Sequence, residues 1–201
     1  MGPTRMDRTA LAAALTALGD TLAARGLAYE VVLIGGGNLL LRGLIARTTK
    51  DGDLLAQVGP DRSLVRIEAL PVPLAVAVRD VGLAFGLAED WLNVGPRSIL
   101  DGPLPDGFTE RLERHEYGAG LVVWFAGVFD QVCFKLHAAA DGYPRRDRHL
   151  EDLASLAPSP EDLLRAARWT LLHDASPGYP ELLVATLGTL GVDDADARLR
   201  Q

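Results

Sequence analysis

The sequence predicts an α/β fold with a helical C-terminal part, on three observations. An apolar run, Val31-Val32-Leu33-Ile34, ends in Gly35-Gly36-Gly37-Asn38; a second extended segment carries Asp51 and Asp53 in alternation; and helical patterns dominate after Phe125. A continuous short apolar run reads as a buried strand, and period-two alternation as a half-buried one.

The elements follow in order. Leu11, Leu15, Leu18 and Leu22 form one stripe, so Arg8–Ala24 is a helix. Tyr29–Ile34 is a strand, the glycines turn the chain, and a short helix covers about Leu39–Ala46. Asp51–Gln57 is the second strand, whereas Asp61–Ala69 follows neither period. Pro71 and Pro73 precede a helix over Leu74–Leu87. Asn93–Gly107, rich in glycine and proline, is a loop that marks a lobe boundary. Gly120–Phe125 is the third strand, and helices follow at Val128–Ala140, Arg148–Leu156, Glu161–His173 and Pro180–Leu190. Ser159-Pro160-Glu161-Asp162 supplies a cap, a proline at the first helical position and acids for the first turn. The tail from Asp193 is polar and expected to fray.

Composition narrows the function. Of the 201 residues, 48% are apolar and 23% charged, as in ordinary globular proteins. The lone Cys133 excludes an internal disulfide framework and argues against a cysteine-ligated zinc. There is no secretory signal and no apolar run long enough to span a bilayer, so a cytoplasmic protein without a membrane partner is expected. A net charge of −7 argues against indiscriminate binding to polyanions. Local basic clusters remain at Arg42, Arg47 and Lys50 and at Arg145, Arg146, Arg148 and His149, and either also reads as a solvated helix face. Of the 20 lysines and arginines only Lys50 and Lys135 are lysines, which points to a need for a compact ammonium there. Lys135 falls at the edge of an apolar arc, where it snorkels or holds an anion.

A glycine turn that leaves a strand and opens a helix lets backbone N–H groups approach a phosphate closely. Asp51 and Asp53, two apart on a strand, point to one face. Two carboxylates beside a phosphate cradle suit a Mg²⁺–nucleoside triphosphate. The plainer readings are a Lys-Asp-Gly-Asp hairpin loop and glycines that serve strand–helix packing alone. Trp91, Trp124 and Trp169 read as core. His115, His137 and His173 have no metal-ligand spacing.

Ile34-Gly35-Gly36-Gly37-Asn38 followed by Arg47-Thr48-Thr49-Lys50-Asp51-Gly52-Asp53-Leu54 resembles the first motif of nucleotidyltransferase-fold toxins of the AbiEii/MenT type. Trp91-Leu92-Asn93, Phe134-Lys135-Leu136-His137-Ala138-Ala139 and Arg146-Asp147-Arg148-His149-Leu150-Glu151-Asp152-Leu153 resemble the later motifs in order and spacing.

The resemblance implies a nucleotidyltransferase-like mixed sheet with flanking helices. The core would be residues 1–126, and a helical part at 127–201 would complete the active-site cleft. It implies transfer of NMP from an NTP to the 3′ acceptor end of tRNA, with Mg²⁺ or in its place Mn²⁺, and a cognate antitoxin as partner. Asp51 and Asp53 would hold the metal, and Gly36, Gly37, Asn38, Arg47, Thr49 and Lys50 would line the nucleotide. Lys135 would bind a phosphate oxygen, and Asp147 or Asp152 would complete the catalytic set. Arg145, Arg146 and Arg148 would meet the acceptor. Thr48 and Thr49 are turn or strand residues, or else regulatory positions where an added phosphate of about −1.5 to −2 charges competes with the nucleotide. The competing readings are a transferase acting on a small-molecule or protein hydroxyl and a non-catalytic nucleotide-binding relative.

This chain also departs from the pattern. Gly37 stands where relatives have serine or threonine, and Gly52 replaces the usual apolar residue between the carboxylates, at a packing cost of about 1 kcal/mol. His149 stands where an aspartate is frequent, and no third strand carboxylate is evident, Glu68 and Asp130 being guesses.

Overall fold

The computed structural model describes residues 4–95, 97–141 and 146–200; Arg145, one of the expected acceptor arginines, lies outside them. The chain divides into two compact units, residues 1–100 with 109–126 and residues 101–108 with 127–201. It has the expected α/β architecture, a six-stranded mixed sheet with flanking helices and a helical C-terminal part.

In the first unit, β1 (Tyr29–Ile34) lies at the middle of the sheet. It pairs antiparallel with β2 (Gly52–Val58) and parallel with β6 (Leu121–Phe125). One edge of β2 carries both β3 (Leu64–Val65) and β4 (Leu92–Val94), the former antiparallel at Gln57 and Val58, the latter parallel at Gly52 to Leu54. β5 (Glu113–Tyr117) closes the far edge against β6. Helix α1 (Arg8–Ala24), capped by Asp7, whose Oδ1 accepts from Ala10 N–H at 2.8 Å, buries Leu11, Leu15, Leu18 and Leu22. It packs on α3 (Val72–Phe85), β5 and β6. Burial of this stripe with Val31, Leu33, Leu74, Val78 and Trp91 makes the core of the unit.

The differences from the sequence reading have local causes. Helix α2 spans Gly35–Leu41, so the glycines are its first turn instead of a turn ahead of it. Asn93 and Val94, expected to open a loop, belong with Leu92 to the three-residue strand β4, too short to show a period. β5, Glu-Arg-His-Glu-Tyr, was not foreseen because its first four residues are exposed and charged or polar, the composition that protects an edge strand. Helix α3 starts at Val72 with Pro71 as its cap and ends at Gly86 in the left-handed region (φ 65°). The expected frayed tail contains a further short helix, Ala195–Leu199.

In the second unit α4 (Val128–Asp141) packs against α5 (Arg146–Leu156), α6 (Pro160–Thr170) and α7 (Tyr179–Thr189), with α8 (Ala195–Leu199) on α6 and α7. Ser159 caps α6 as its sequence predicts, its Oγ accepting from Asp162 N–H at 3.1 Å. Asp130 is buried and accepts from Gly127 N–H at 3.1 Å, reaching back to the start of α4 as a capping residue. All three tryptophans of the chain are buried, as expected, and each indole N–H has an acceptor: Val78 O, Glu30 Oε2 and Pro103 O. Cys133 is a buried free thiol.

Phe134, Trp169, His137, His173 and Tyr179 form one aromatic cluster in this unit. His137 Nδ1 and Tyr179 Oη lie 2.8 Å apart. Burial pushes the Tyr179 hydroxyl up to about 12. Burial, reinforced by the His173 ring, holds His137 below its ordinary 6.5. Below pH 6.5 the unfolded chain therefore takes up a proton that folded His137 declines, and stability falls as pH drops from there through the depressed folded value. Denaturant titrations between about pH 7.5 and pH 5 should show this loss, and His137→Gln should flatten it. Equal pH dependence in both proteins would show that His137 does not carry the effect.

Candidate functional site

The first turn of α2 lies against the start of β2, and four glycines permit it. A Cβ on Gly37 would stand 3.3 Å from Gly52 Cα and 3.6 Å from Asp51 O, so two glycines meet where helix and strand touch. On its other side Gly52 faces Leu92 and Leu33, whose Cδ1 atoms would be 3.1 and 3.3 Å from an added Cβ. Those leucines already fill the space an apolar residue would take. Gly52 therefore leaves no hole, contrary to the packing cost its sequence suggests.

Asp53 sits in a slot between the other two glycines. Gly35 has φ +68°, and a Cβ there would stand 2.6 Å from Asp53 Oδ2; one on Gly95 would stand 2.8 Å from Asp53 Cβ. Pairing explains the slot: Asp53 is opposite Ile34 in β1 and beside Asn93 in β4, and each strand leads into one of the glycines. Gly95 N–H donates to Leu54 O at 2.8 Å, which fixes that wall. Gly95 has no sequence signal beyond a Gly-Pro pair. It becomes visible only once β4 is known to be a strand.

The sequence puts Asp51 in the second strand, but β2 begins at Gly52: Asp51 immediately precedes it, Asp53 is its second residue, and both are part-exposed. Lys50 Nζ is 3.9 Å from Asp51 Oδ2. The Arg47 guanidinium lies over Gly36, its nitrogens 3.3 and 3.6 Å from where a Cβ would be. Gly35, Gly36, Gly37, Arg47, Lys50, Asp51 and Asp53 thus come together around one turn. Two hard carboxylates two residues apart suit a divalent cation. Among the described residues no group of three or more His, Cys, Asp or Glu could hold a metal, so an ion on this pair would draw further oxygens from triphosphate and water.

Two neighbouring residues face inward. Asn38 is fully buried, and its Nδ2 donates to Leu33 O at 2.8 Å and Ala126 O at 3.3 Å, stapling α2 to β1 and to the end of β6. Thr49 is buried, its hydroxyl donating to Asp51 O at 2.9 Å, so its side chain shapes the approach to the carboxylates from behind. Thr48 is half-buried and receives Arg5: Nε donates to Thr48 Oγ1 at 2.7 Å and the guanidinium to Thr48 O at 2.6 Å. Met6 and Thr49 exchange backbone hydrogen bonds at 2.6 and 2.9 Å, so the N-terminal segment straps the loop that bears the site. Nothing in the sequence marks Arg5 for this task.

In the second unit Lys135 and Asp152 meet directly. Lys135 Nζ is 2.7 Å from Asp152 Oδ2, with side chains 7% and 1% exposed. Lys135 therefore does not snorkel: it holds an anion, and that anion is a carboxylate of α5. Asp147 is exposed in the first turn of α5; Arg146 and Arg148 are half-buried, and an Arg146 nitrogen is 3.4 Å from Thr186 Oγ1. Of the two guesses for a third carboxylate, Asp130 is the α4 cap and Glu68 is an exposed partner of Arg66 at 2.7 Å.

Residues 11–157 match the model of a family described as nucleotidyltransferase of unknown function (DUF6036). No curated protein and no solved structure matches the chain.

Two outcomes follow from the packing. Gly95→Ala should displace Asp53 and cost about 1–3 kcal/mol of stability, read from denaturant unfolding, and a wild-type midpoint would mean that the slot yields freely. Lys135→Met alone should destabilise by about 3–5 kcal/mol by stranding a buried carboxylate, with much of the loss restored in Lys135→Met with Asp152→Leu. If the double variant is no more stable than the single, the coupling between the two side chains is not what holds α4 to α5.

Proposed function

Since the chain belongs to this nucleotidyltransferase family, and is thus a transferase, we propose that it moves NMP from an NTP to the 3′ end of tRNA as a toxin held in check by an antitoxin. The observation that carries the reading is Asp53, held at the start of β2 against Gly35 of the α2 glycine turn, with Asp51 two residues before it. Resemblance to the AbiEii/MenT type supports the tRNA acceptor and the toxin role.

In this reading Asp51 and Asp53 hold Mg²⁺, which neutralises triphosphate charge and polarises the α-phosphate. The slot between Gly35 and Gly95 holds Asp53 in one orientation before substrate arrives, so little reorganisation remains for the reaction. Arg47 over Gly36 and Lys50 beside Asp51 place two cations where phosphate oxygens would lie. The acceptor oxygen bonds to the α-phosphorus, the bond to the departing pyrophosphate oxygen breaks, and the acceptor proton is released to solvent. Arg146 and Arg148 meet acceptor phosphates, which makes acceptor binding sensitive to salt.

The test incubates the protein with each labelled NTP, Mg²⁺ and total RNA, then asks which molecules carry label. Labelled tRNA is expected. Asp53→Asn should abolish labelling by at least ~100-fold while the unfolding midpoint stays close to wild type, because a half-exposed carboxylate contributes little to folding. Label on a small molecule or on protein would move the acceptor to those classes, and wild-type turnover by Asp53→Asn would remove the assigned site.

A further inference from the structure

We propose that the outer face of α3 docks a basic amphipathic helix from a partner protein. The inference is independent of the transferase reading and of any nucleotide.

Among the described residues, four of the eight large apolar side chains left exposed belong to this one helix: Val72, Val76, Leu83 and Phe85. Val72 and Leu83 are 75% and 76% exposed. Val72, Val76 and Leu83 are spaced four and seven apart, with Arg79 between, so they form a single stripe along the axis. The opposite stripe, Leu74, Ala77, Val78 and Val81, is buried in the core. α3 is thus apolar on both sides, and its outer side is uncovered. An exposed apolar patch of this kind marks an interaction surface.

A groove of about 510 Å³ runs beside the stripe, where Val72, Ala75 and Val76 of the helix face Leu92 and Val94 of β4. Its rim carries three carboxylates, those of Glu68, Glu89 and Asp90, against the guanidinium of Arg79; Arg66 pairs with Glu68 at 2.7 Å, so Glu89 and Asp90 carry most of the negative field. Arg79 Nε lies 4.0 Å from Asp80 Oδ1, a carboxylate whose other oxygen holds Arg25 at 2.6 Å. An apolar floor with an acidic rim is complementary to a helix that has one apolar face flanked by lysine or arginine. A second copy of this chain fits less well. A twofold axis perpendicular to α3 sets Glu68, near its start, by Glu89 and Asp90 of the other copy, near its end. An axis along α3 sets each carboxylate beside its own equivalent. Both arrangements place like charges together.

The probe is a fluorescent Leu/Lys amphipathic helix of ~18 residues, with an isosteric Leu/Glu peptide as control, titrated against the full chain without nucleotide. Binding of the Lys peptide in the micromolar range is expected, at least ~10-fold tighter than the Glu peptide and weakened by salt. Val72→Asp with Leu83→Asp should abolish it, with circular dichroism and the unfolding midpoint close to wild type since those side chains are 75% and 76% exposed. Amide exchange should slow along Val72–Phe85 when the peptide is bound. No binding, equal binding of the two peptides, or undiminished binding to the double variant would overturn the proposal. So would a dimer in sedimentation that the double variant dissociates, since the face would then belong to a second copy.

Discussion

Close approach of a helix to a strand is the constraint on which this molecule depends. Gly37 rests on Gly52, and this one contact sets how near the first turn of α2 comes to β2. Everything at the candidate site follows from that distance. Because the turn is close, Asp53 Oδ2 lies against Gly35; because β4 lies close on the other side, Gly95 closes on Asp53 Cβ. Asn38, one residue after the contact, ties the same turn to Leu33 and Ala126 with a buried amide. A Cβ at Gly37 would stand 3.3 Å from Gly52 Cα, so helix and strand would have to part by a few tenths of an ångström to admit one.

Much of this was legible in the sequence, and the reason is chemical simplicity. A run of four apolar residues ending in glycine admits few readings, and Asp53 falls on the second strand as its sequence suggests, although Asp51 lies just ahead of it. The stripe of α1 and the serine cap of α6 were equally plain, since each rests on local rules that the tertiary fold had no reason to override. What the sequence hid depends on contacts distant in the chain. β4 is three residues long and is a strand only because β2 offers an edge; β5 is polar because it is itself an edge. Gly95 and Arg5 gain their roles from Asp53 and Thr48, far from them in sequence.

Lys135 shows how far composition reaches. Its rarity pointed to a compact cation needing an anion, and the structure supplies one at 2.7 Å, but from α5 of the same unit. A sequence can say that a charge needs a partner. It cannot say whether the partner is a substrate or the chain's own carboxylate until the helices are packed. Asn38 and Thr49 teach the same point from the other direction. Both belong to a motif with functional meaning, yet the Asn38 amide nitrogen and the Thr49 hydroxyl donate to backbone carbonyls, so they support the exposed residues from beneath.

The amide of Asn38 has one further consequence, for the order in which the molecule assembles. Its second acceptor, Ala126 O, lies 88 residues down the chain, and β1 finds its parallel neighbour only when Leu121–Phe125 has been made. Local helices form in microseconds, but long-range parallel pairing waits for loop closure. On a ribosome, α1 and the β1–β2 pair can gather early, with Asn38 already tied to Leu33 O, while the glycine turn lacks its second anchor until the chain is well past its midpoint. The nascent polypeptide therefore carries its aspartates long before its glycine turn is fully tied down, and a chain interrupted before Ala126 would be released with that turn fastened to β1 alone.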